Sequence, residues 1–196
     1  VVVGGQKCTA GPSGIAAIAV SERFVEAMME KRKTNPNPAI YYLDLVQALK
    51  KAADDQTPWT PSINLCTGWV AALREQDEEG MENRWARCAR LAEGVRNLFI
   101  DLGFELFAQE EQRSNTVTAI LYPDPAWGEE WRRWMAVERD THVIGGQDHV
   151  KGRIFRVGTM GITPIEEMIE GSHRMIEGFR HFGMELPDLD VESYFR

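Results

Sequence analysis

The sequence predicts an α/β protein in two parts: residues 1–102, with two short strands followed by helices, and residues 103–196, a small α+β domain. Three observations lead to this prediction. A β-branched run closed by glycine opens the chain, apolar residues recur at three- and four-residue spacings through its middle, and short apolar runs typical of strands return after Gly103. We place the domain boundary where the helical period ends.

The first elements are two strands and a helix. Residues 1–3 form a β-branched run closed by two glycines, which is typical of a buried strand, and residues 15–20 form a second apolar run. A buried strand needs neighbours on both sides, so we expect this chain to belong to a longer protein. Ser21 in the N-cap position predicts a helix that continues through Met29.

The middle of the chain is predicted to be helical. The sequence Asn-Pro-Asn-Pro at residues 35–38 predicts a loop, and residues 43–53 predict a short helix that ends before Pro58. From Ser62 onward the spacing predicts a long amphipathic helix that ends near Gly103. Its apolar face contains Trp85, Cys88, Leu91, Ala92, Val95, Leu98 and Phe99.

The second part alternates strands with helices. A helix over residues 127–138 carries Trp127, Trp131 and Trp134 at helical spacing, which predicts packing in a core rather than ligand stacking. A closing helix is predicted over residues 164–182. Strands are predicted over residues 104–108, 116–122, 143–144 and 154–157.

The composition argues against several classes of partner. The net charge is -8, from 22 basic and 30 acidic residues, and the basic residues are scattered, whereas nucleic-acid binding needs a clustered basic face. No apolar stretch approaches the ~20 residues of a membrane-spanning helix. The three cysteines are far apart and lack the Cys/His spacing of a metal site. We therefore expect a cytoplasmic protein without a metal centre.

Lys7 is the first candidate for a functional-site residue. It lies on a glycine-rich turn directly after the first predicted strand. A residue at this position projects from the carboxyl end of the strand, where α/β sheets usually bind ligands. The alternative is a solvated loop lysine, which is the commoner situation for this residue type.

Arg156 is the second candidate. It lies between Phe155 and Val157 in an apolar strand that follows a glycine-rich loop starting at Gly145. The planar guanidinium group can grip a carboxylate through two parallel hydrogen bonds, which makes arginine the usual residue for this task. The alternative is an arginine on the solvated face of an edge strand.

These two stretches carry a resemblance to class V aminotransferases of the alanine-glyoxylate or serine-pyruvate type. Residues 4–22 resemble the family's Schiff-base lysine motif, in which Gly-Ser-Gln-Lys leads into a Pro-Gly turn and a strand ending in Val-Ser-Glu. Residues 145–161 resemble its substrate-arginine motif, Gly-x-Ile-x-Arg-Ile-Gly-x-Met-Gly. Residues 56–65 resemble the segment that carries a threonine to the cofactor phosphate of the other subunit. The resemblance extends over essentially all 196 residues and includes 79–85 and 113–118.

The resemblance implies a fold and a role for each motif residue. The fold would be the C-terminal part of a PLP-transferase type I large domain, followed by a small α+β C-terminal domain. Lys7 would bind pyridoxal 5'-phosphate (PLP) as an aldimine and move the proton at the substrate α-carbon. Gln6 would lie against the cofactor phosphate, and Arg156 would bind the substrate carboxylate. Either Thr57 or Thr60 would contact the phosphate of the partner subunit.

The resemblance also implies an activity and partners. The enzyme would move an amino group between alanine or serine and a 2-oxo acid, glyoxylate or pyruvate, as a homodimer. The N-terminal half of the same enzyme would supply most of the phosphate-binding loop, an aromatic residue stacked on the cofactor ring and an aspartate paired with its nitrogen. We therefore expect this chain alone to bind the cofactor poorly. Gly5 replaces the serine that is common in the family, which removes one expected phosphate contact.

Two alternatives remain open at the level of sequence. One is a PLP-dependent lyase or desulfurase on the same scaffold, suggested by Cys8 beside Lys7. Successive residues of an extended chain alternate sides, so Cys8 is expected to point away from a cofactor bound to Lys7. The other alternative is a non-catalytic dimerisation fragment.

Overall fold

The structure, a computed structural model, describes residues 1–36 and 41–196. They form two compact units, Val1–Glu75 and Gln76–Arg196. The boundary predicted at residues 102/103 concerns the domains of a complete enzyme and stays a prediction. The loop predicted over residues 35–38 lies partly outside the described residues.

The first unit begins with the two predicted strands. β1 (Val2–Gly4) pairs antiparallel with β2 (Ala16–Ile18), with Val3 opposite Ala17. The burial predicted for the first strand concerns a longer protein and stays a prediction; within the described residues Val2 is 69% exposed and Val3 41% exposed. Within the described residues β1 and β2 form a two-stranded sheet, and a strand becomes buried only where further strands or covering layers flank it.

Side-chain caps define the two short helices of the first unit. α1 (Glu22–Thr34) starts at Ser21, as predicted, and the Ser21 hydroxyl accepts a hydrogen bond from the Phe24 amide. α2 (Leu45–Ala52) starts at Asp44, whose carboxylate accepts hydrogen bonds from two amides of the first turn. Arg32 forms an ion pair with this carboxylate and thereby ties α1 to α2.

The long helical stretch consists of two helices. α3 (Ile63–Glu79) and α4 (Met81–Asp101) are separated at Gly80, where φ is 80°. A residue with a Cβ adopts this conformation only with strain, so glycine at this position breaks the helix. The predicted end near Gly103 is confirmed, and Gly103 also has a positive φ of 88°.

The second unit packs helices against a three-stranded antiparallel sheet. The strands are β3 (Val117–Leu121), β4 (Ile144–Gly145) and β5 (Ile154–Gly158), and β5 lies between the other two. The core is formed with α4 and with two further helices, α5 (Gly128–Glu138) and α6 (Ile165–His181). Short 3₁₀ turns cover Glu110–Gln112, Pro125–Trp127, Asp148–Val150 and Val191–Phe195.

Aromatic packing dominates this core. Trp131 is fully buried and stacks on Phe179 with ring centroids 4.4 Å apart, which confirms the predicted packing role. Trp127 and Trp134 are partly buried against the same cluster. Phe195 of the C-terminal turn is also buried, and a Cβ at Gly94 of α4 would lie 2.6 Å from its ring.

Two details of the second unit differ from the sequence predictions. Residues 104–108 do not form a strand, because they pair with β3 at a single bridge, Leu106 to Ile120, before the chain turns at Glu110–Gln112. The helical spacing places Trp85 on an apolar face, but its side chain is 62% exposed. Within residues 1–36 and 41–196, every helix is too short or too polar to cross a lipid bilayer.

Candidate active site

Lys7 lies on a closed turn between β1 and β2. The turn is held by backbone hydrogen bonds from Gly5 N to Ile15 O (3.0 Å), from Gly11 N to Gly5 O (2.7 Å) and from Ala10 N to Lys7 O (2.9 Å). The Lys7 side chain is exposed and makes no hydrogen bond or ion pair with the described residues. A fixed backbone therefore presents an amine that is available to react.

Thr9 and Trp69 complete this turn. The Thr9 hydroxyl donates a hydrogen bond to the Gly5 carbonyl at 2.7 Å and accepts one from the indole Nε1 of Trp69 at 3.0 Å. The indole of Trp69, on α3, also lies against the turn, where a Cβ at Gly11 would be 2.7 Å from its Cδ1. Neither residue is predicted from the sequence, because Trp69 lies 60 residues from Thr9 and no local pattern connects them.

Gly5 and Gln6 precede Lys7 on the same turn. Gly5 is buried, and a Cβ at this position would lie 3.1 Å from both the Ile15 Cγ2 and the Pro12 carbonyl oxygen. These distances are tighter than ordinary contacts, so the turn leaves little space for the serine that the family commonly has here. Gln6 is exposed.

Thr57 and Thr60 lie between α2 and α3, and both are exposed. Trp59 holds this segment, because its ring packs against Tyr41 and Tyr42 with centroids 5.3 and 5.0 Å away. In the described part of the chain, no hydrogen bond joins either threonine to Lys7 or its neighbours. The structure thus brings Gln6 and Lys7 together on one turn and leaves the two threonines on a separate surface segment.

Cys8 also lies on the Lys7 turn and is exposed. Residues 5–9 form turns rather than an extended strand, so the alternation of sides expected from the sequence does not apply to Lys7 and Cys8. Cys8 therefore follows Lys7 directly along a curved backbone.

Arg156 lies at the centre of the second unit's sheet. It is on β5, opposite Ala119 of β3 and Ile144 of β4, so the edge-strand alternative is wrong. The side chain is partly buried, and its Nε donates a hydrogen bond to the Gly145 carbonyl at 3.0 Å. Its two terminal nitrogens have no hydrogen-bond partner among the described residues. One end of the guanidinium group is thus fixed while the other can bind an anion.

The glycine-rich loop before β5 is tightly packed. A Cβ at Gly146 would lie 2.1 Å from the Val150 carbonyl oxygen, and a Cβ at Gly145 would lie 2.6 Å from Nη1 of Arg132. Gly146 therefore requires glycine, because the backbone of Val150 leaves no space for a Cβ, whereas at Gly145 the flexible end of Arg132 would have to move. This close packing fixes the Gly145 carbonyl that orients Arg156. His149 in the same loop is exposed.

An ion-pair network supports the chain that follows β5. Arg87 of α4 donates hydrogen bonds to Glu79 from Nε (2.7 Å) and Nη2 (3.1 Å), and also to the carbonyls of Gly161 (2.8 Å) and Thr163 (3.2 Å). Arg84 donates to the same carboxylate at 2.6 Å. Hydrogen bonds from Arg87 and Arg84 lower the pKa of Glu79 from 4.5 to about 2. The network ties the helix break at residue 80 to the turn after the Arg156 strand.

Comparisons with known proteins find aminotransferases that are similar to this chain. No protein-family model matches the chain. An uncharacterized aminotransferase of Methanocaldococcus jannaschii is 40% identical over 193 residues, which are 97% of this chain and 49% of that protein. Serine–glyoxylate aminotransferase of Arabidopsis thaliana is 34% identical over 82% of this chain and 39% of its own length.

Solved structures show the same relationship. Ureidoglycine–glyoxylate aminotransferase from Bacillus subtilis superimposes with a TM-score of 0.88 at 22% identity, over 98% of this chain and 50% of that chain. Pyridoxamine–pyruvate aminotransferase from Mesorhizobium loti gives a TM-score of 0.87 at 26% identity, over 98% and 49%. The chain matches the C-terminal half of class V-type aminotransferases.

This assignment confirms the family resemblance and the predicted fold class, the C-terminal part of a PLP-transferase type I fold. The chain spans about half the length of the M. jannaschii relative and of the solved structures that it matches. The roles of Gln6, Lys7, Thr57, Thr60 and Arg156 stay predictions.

Proposed function

We propose that this chain supplies the lysine and the carboxylate-binding arginine of an aminotransferase that acts on alanine or serine and on glyoxylate or pyruvate. The observation that carries the proposal is the Lys7 turn, whose backbone is closed by three hydrogen bonds and whose exposed amine has no partner among the described residues. The similarity to aminotransferases over nearly the whole chain supports the same reaction type.

The residues on this turn fit PLP. The cofactor needs an amine that can react with its aldehyde and polar groups for its phosphate. Lys7 has no competing partner among the described residues, and the exposed Gln6 amide lies next to it in the chain. When bound, PLP supplies an electron sink that stabilises negative charge at the substrate α-carbon. The crowded Gly5 position leaves phosphate binding to Gln6 rather than to a residue at position 5.

Lys7 has two tasks in this proposal. Its amine holds the cofactor covalently before the substrate arrives. After the substrate amine has replaced it, the released Lys7 amine would move the proton between the substrate α-carbon and carbon C4′ of the cofactor. Such a transfer requires the amine to lie within about 3 Å of the proton that it moves, so the backbone that carries Lys7 must be fixed.

Arg156 binds the substrate carboxylate in this proposal. The hydrogen bond from Nε to Gly145 fixes the plane of the guanidinium group, and the two terminal nitrogens remain available for the carboxylate oxygens. The small side chain of Ala119 on the neighbouring strand leaves space beside this group. A carboxylate held in this way orients the α-carbon hydrogen of the substrate and lowers the entropic part of the barrier.

The arrangement of the complete enzyme is also part of the proposal. We place Thr57 or Thr60 at the cofactor phosphate of a second subunit, which makes the enzyme a homodimer. Both side chains are exposed, and Trp59 anchors the segment between them, as such a contact requires. The N-terminal half of the enzyme would supply the remaining cofactor contacts. We place the reaction in the cytoplasm, in keeping with three cysteines that are odd in number and far apart in the sequence.

A covalent trapping experiment tests the role of Lys7. The complete protein is incubated with PLP, reduced with borohydride, digested and analysed by mass spectrometry. We expect a phosphopyridoxyl group on the peptide that contains Lys7, its loss in Lys7→Ala, and its retention in the control Lys50→Ala, which changes an exposed lysine of α2. An adduct confined to other lysines would exclude the proposed role.

Cys8 is the observation that favours a second candidate, a PLP-dependent desulfurase or lyase. Its exposed thiol lies on the same curved turn as Lys7. Amino transfer that depends on a 2-oxo acid supports the aminotransferase, whereas release of sulfide or ammonia supports the alternative. If Lys7→Ala left every activity of the complete protein intact, a non-catalytic dimerisation fragment would be the correct interpretation.

A further inference from the structure

We propose that Thr9 and Trp69 are positioning residues that hold the Lys7 amine in place, through a hydrogen-bond relay that ends on the Gly5 carbonyl. The inference rests on the proposed function of Lys7. It adds two residues that act on the cofactor lysine only through the backbone of its turn.

The direction of the relay is fixed by chemistry. The indole Nε1 of Trp69 can only donate, so the Thr9 hydroxyl must accept at that contact of 3.0 Å. The single proton of the hydroxyl is then directed to the Gly5 carbonyl, 2.7 Å away. Each bond polarises the next, which strengthens a chain of this kind beyond two isolated hydrogen bonds.

The Gly5 carbonyl is the point where the turn closes. It accepts the Thr9 hydroxyl and also the Gly11 amide, both at 2.7 Å. The Thr9 hydroxyl and the Gly11 amide thus bind the same Gly5 oxygen, and in the sequence Lys7 lies between Gly5 and these two donors. Ala10 has a φ of 55°, a conformation that costs a residue with a Cβ some energy and that these bonds must maintain.

Packing of α3 against the Lys7 turn also restricts the backbone of the turn. The ring of Trp69 occupies the space that a side chain at Gly11 would need, because a Cβ there would lie 2.7 Å from Cδ1 of the indole. A Cβ at Gly68 would lie 3.4 Å from Pro12 of the same turn. The turn is therefore held from one side by the helix. Its exposed side carries Lys7.

The consequence for chemistry is a restricted position of the lysine backbone. A displacement of about 1 Å in a reacting group costs on the order of 100-fold in rate. The Lys7 side chain has no partner of its own among the described residues, so within this part of the chain its backbone sets where the amine can go. Loosening the relay should therefore affect the chemistry of Lys7 more than the binding of substrate by Arg156.

Thr9→Val is the main test, because valine has the shape of threonine without the hydroxyl. In the complete protein, we expect faster hydrogen exchange at the Ala10 and Gly11 amides and roughly 10- to 100-fold slower borohydride trapping of PLP on Lys7. We expect kcat to fall by a similar factor while KM for the amino acid stays within about threefold. Thr9→Ser keeps the relay and should restore hydrogen exchange, borohydride trapping and kcat to the wild-type values.

Two further variants separate the loss of the hydrogen-bond relay from a general effect on folding. Trp69→Phe retains an aromatic ring but loses the donor, so it should give an intermediate effect in the same direction. Thr67→Val makes the same chemical change as Thr9→Val on the exposed face of α3, and should behave as the wild type. If Thr9→Val matches the wild type in exchange and trapping, or if Thr9→Ser fails to restore them, Thr9 has no positioning role.

The outcome separates this inference from the proposed function. Trapping of PLP on Lys7 in the wild type supports the proposed function, whatever effect the Thr9 substitutions have. Absence of the adduct in the wild-type complete protein would refute the function and the inference together, whereas a wild-type adduct with an unaltered Thr9→Val variant would refute the inference alone.

Discussion

Glu79→Gln tests the ion-pair network behind the Arg156 strand. The substitution keeps the shape of the side chain and removes its negative charge. The carboxylate accepts hydrogen bonds from Arg84 at 2.6 Å and from Arg87 at 2.7 and 3.1 Å. Arg84 is buried, with 4% exposure, so its charge loses an ionic partner that water cannot easily replace.

The magnitude follows from the pKa of Glu79. It falls from 4.5 to about 2 in the folded protein. Each pKa unit corresponds to about 1.4 kcal/mol, so the charged form contributes at most about 3 kcal/mol to stability. The side chain is 25% exposed, and water screens part of this interaction. We expect Glu79→Gln to lower the free energy of unfolding at pH 7 by about 2 kcal/mol.

The pH dependence gives a second signature. Because folding lowers the pKa of Glu79, its stabilising effect is complete above about pH 4.5 and is lost as the pH falls towards 2. The wild type and Glu79→Gln should therefore differ by a constant amount from pH 7 to pH 5 and converge below that. Urea-induced unfolding, followed by circular dichroism at several pH values, measures the difference.

The matched control is Glu170→Gln on α6. Glu170 pairs with Arg174 at 2.9 Å, but its side chain is 59% exposed. Exposed pairs of this kind contribute below about 0.5 kcal/mol. The stabilising role of the Glu79 charge is excluded if Glu79→Gln and Glu170→Gln have equal effects at pH 7, or if the effect of Glu79→Gln grows as the pH falls.

Three further predictions concern single residues. Arg156→Lys removes the guanidinium fork, so KM for the amino acid should rise about 10- to 100-fold in steady-state assays, and an unchanged KM would exclude carboxylate binding by this residue. Gly80→Ala forces a Cβ into a φ of 80° and should lower the free energy of unfolding by about 1 kcal/mol in urea titrations; a neutral result would show that the break between α3 and α4 does not need glycine. Gly94→Ala places a Cβ 2.6 Å from Phe195 and should lower the free energy of unfolding by about 1–3 kcal/mol. Gly171→Ala on α6 meets no atom within 4 Å and should raise it by about 0.5–1 kcal/mol. Thermal melts that rank these two variants in the opposite order would contradict this packing.

Features that depend on neighbouring residues could be predicted without the structure. The N-cap at Ser21, the end of the long helical stretch near Gly103 and the packing role of Trp131 follow from local capping, turn conformation and spacing, and the structure confirms all three. The motifs around Lys7 and Arg156 are also visible in the sequence, because each occupies a few consecutive residues beside glycine.

Burial and strand pairing, in contrast, depend on how distant segments meet. The first strand has the composition of a buried strand, and its valines are exposed within the described residues, because burial depends on neighbouring strands and layers that a local pattern does not identify. Residues 104–108 have the composition of a strand, but pairing depends on the register with β3, and only Leu106 forms a bridge. Contacts between distant segments determine both outcomes, and a single sequence does not specify them.

The supports of the candidate site likewise come from the fold. Thr9 meets Trp69 across 60 residues, and Arg87 meets Gly161 across 74. Neither pair leaves a periodic or spaced pattern in the sequence, because a hydrogen bond between distant segments requires only that folding brings one donor and one acceptor together. Local sequence motifs therefore identify the residues that are proposed to take part in the reaction. The residues that hold them in position are determined by three-dimensional packing.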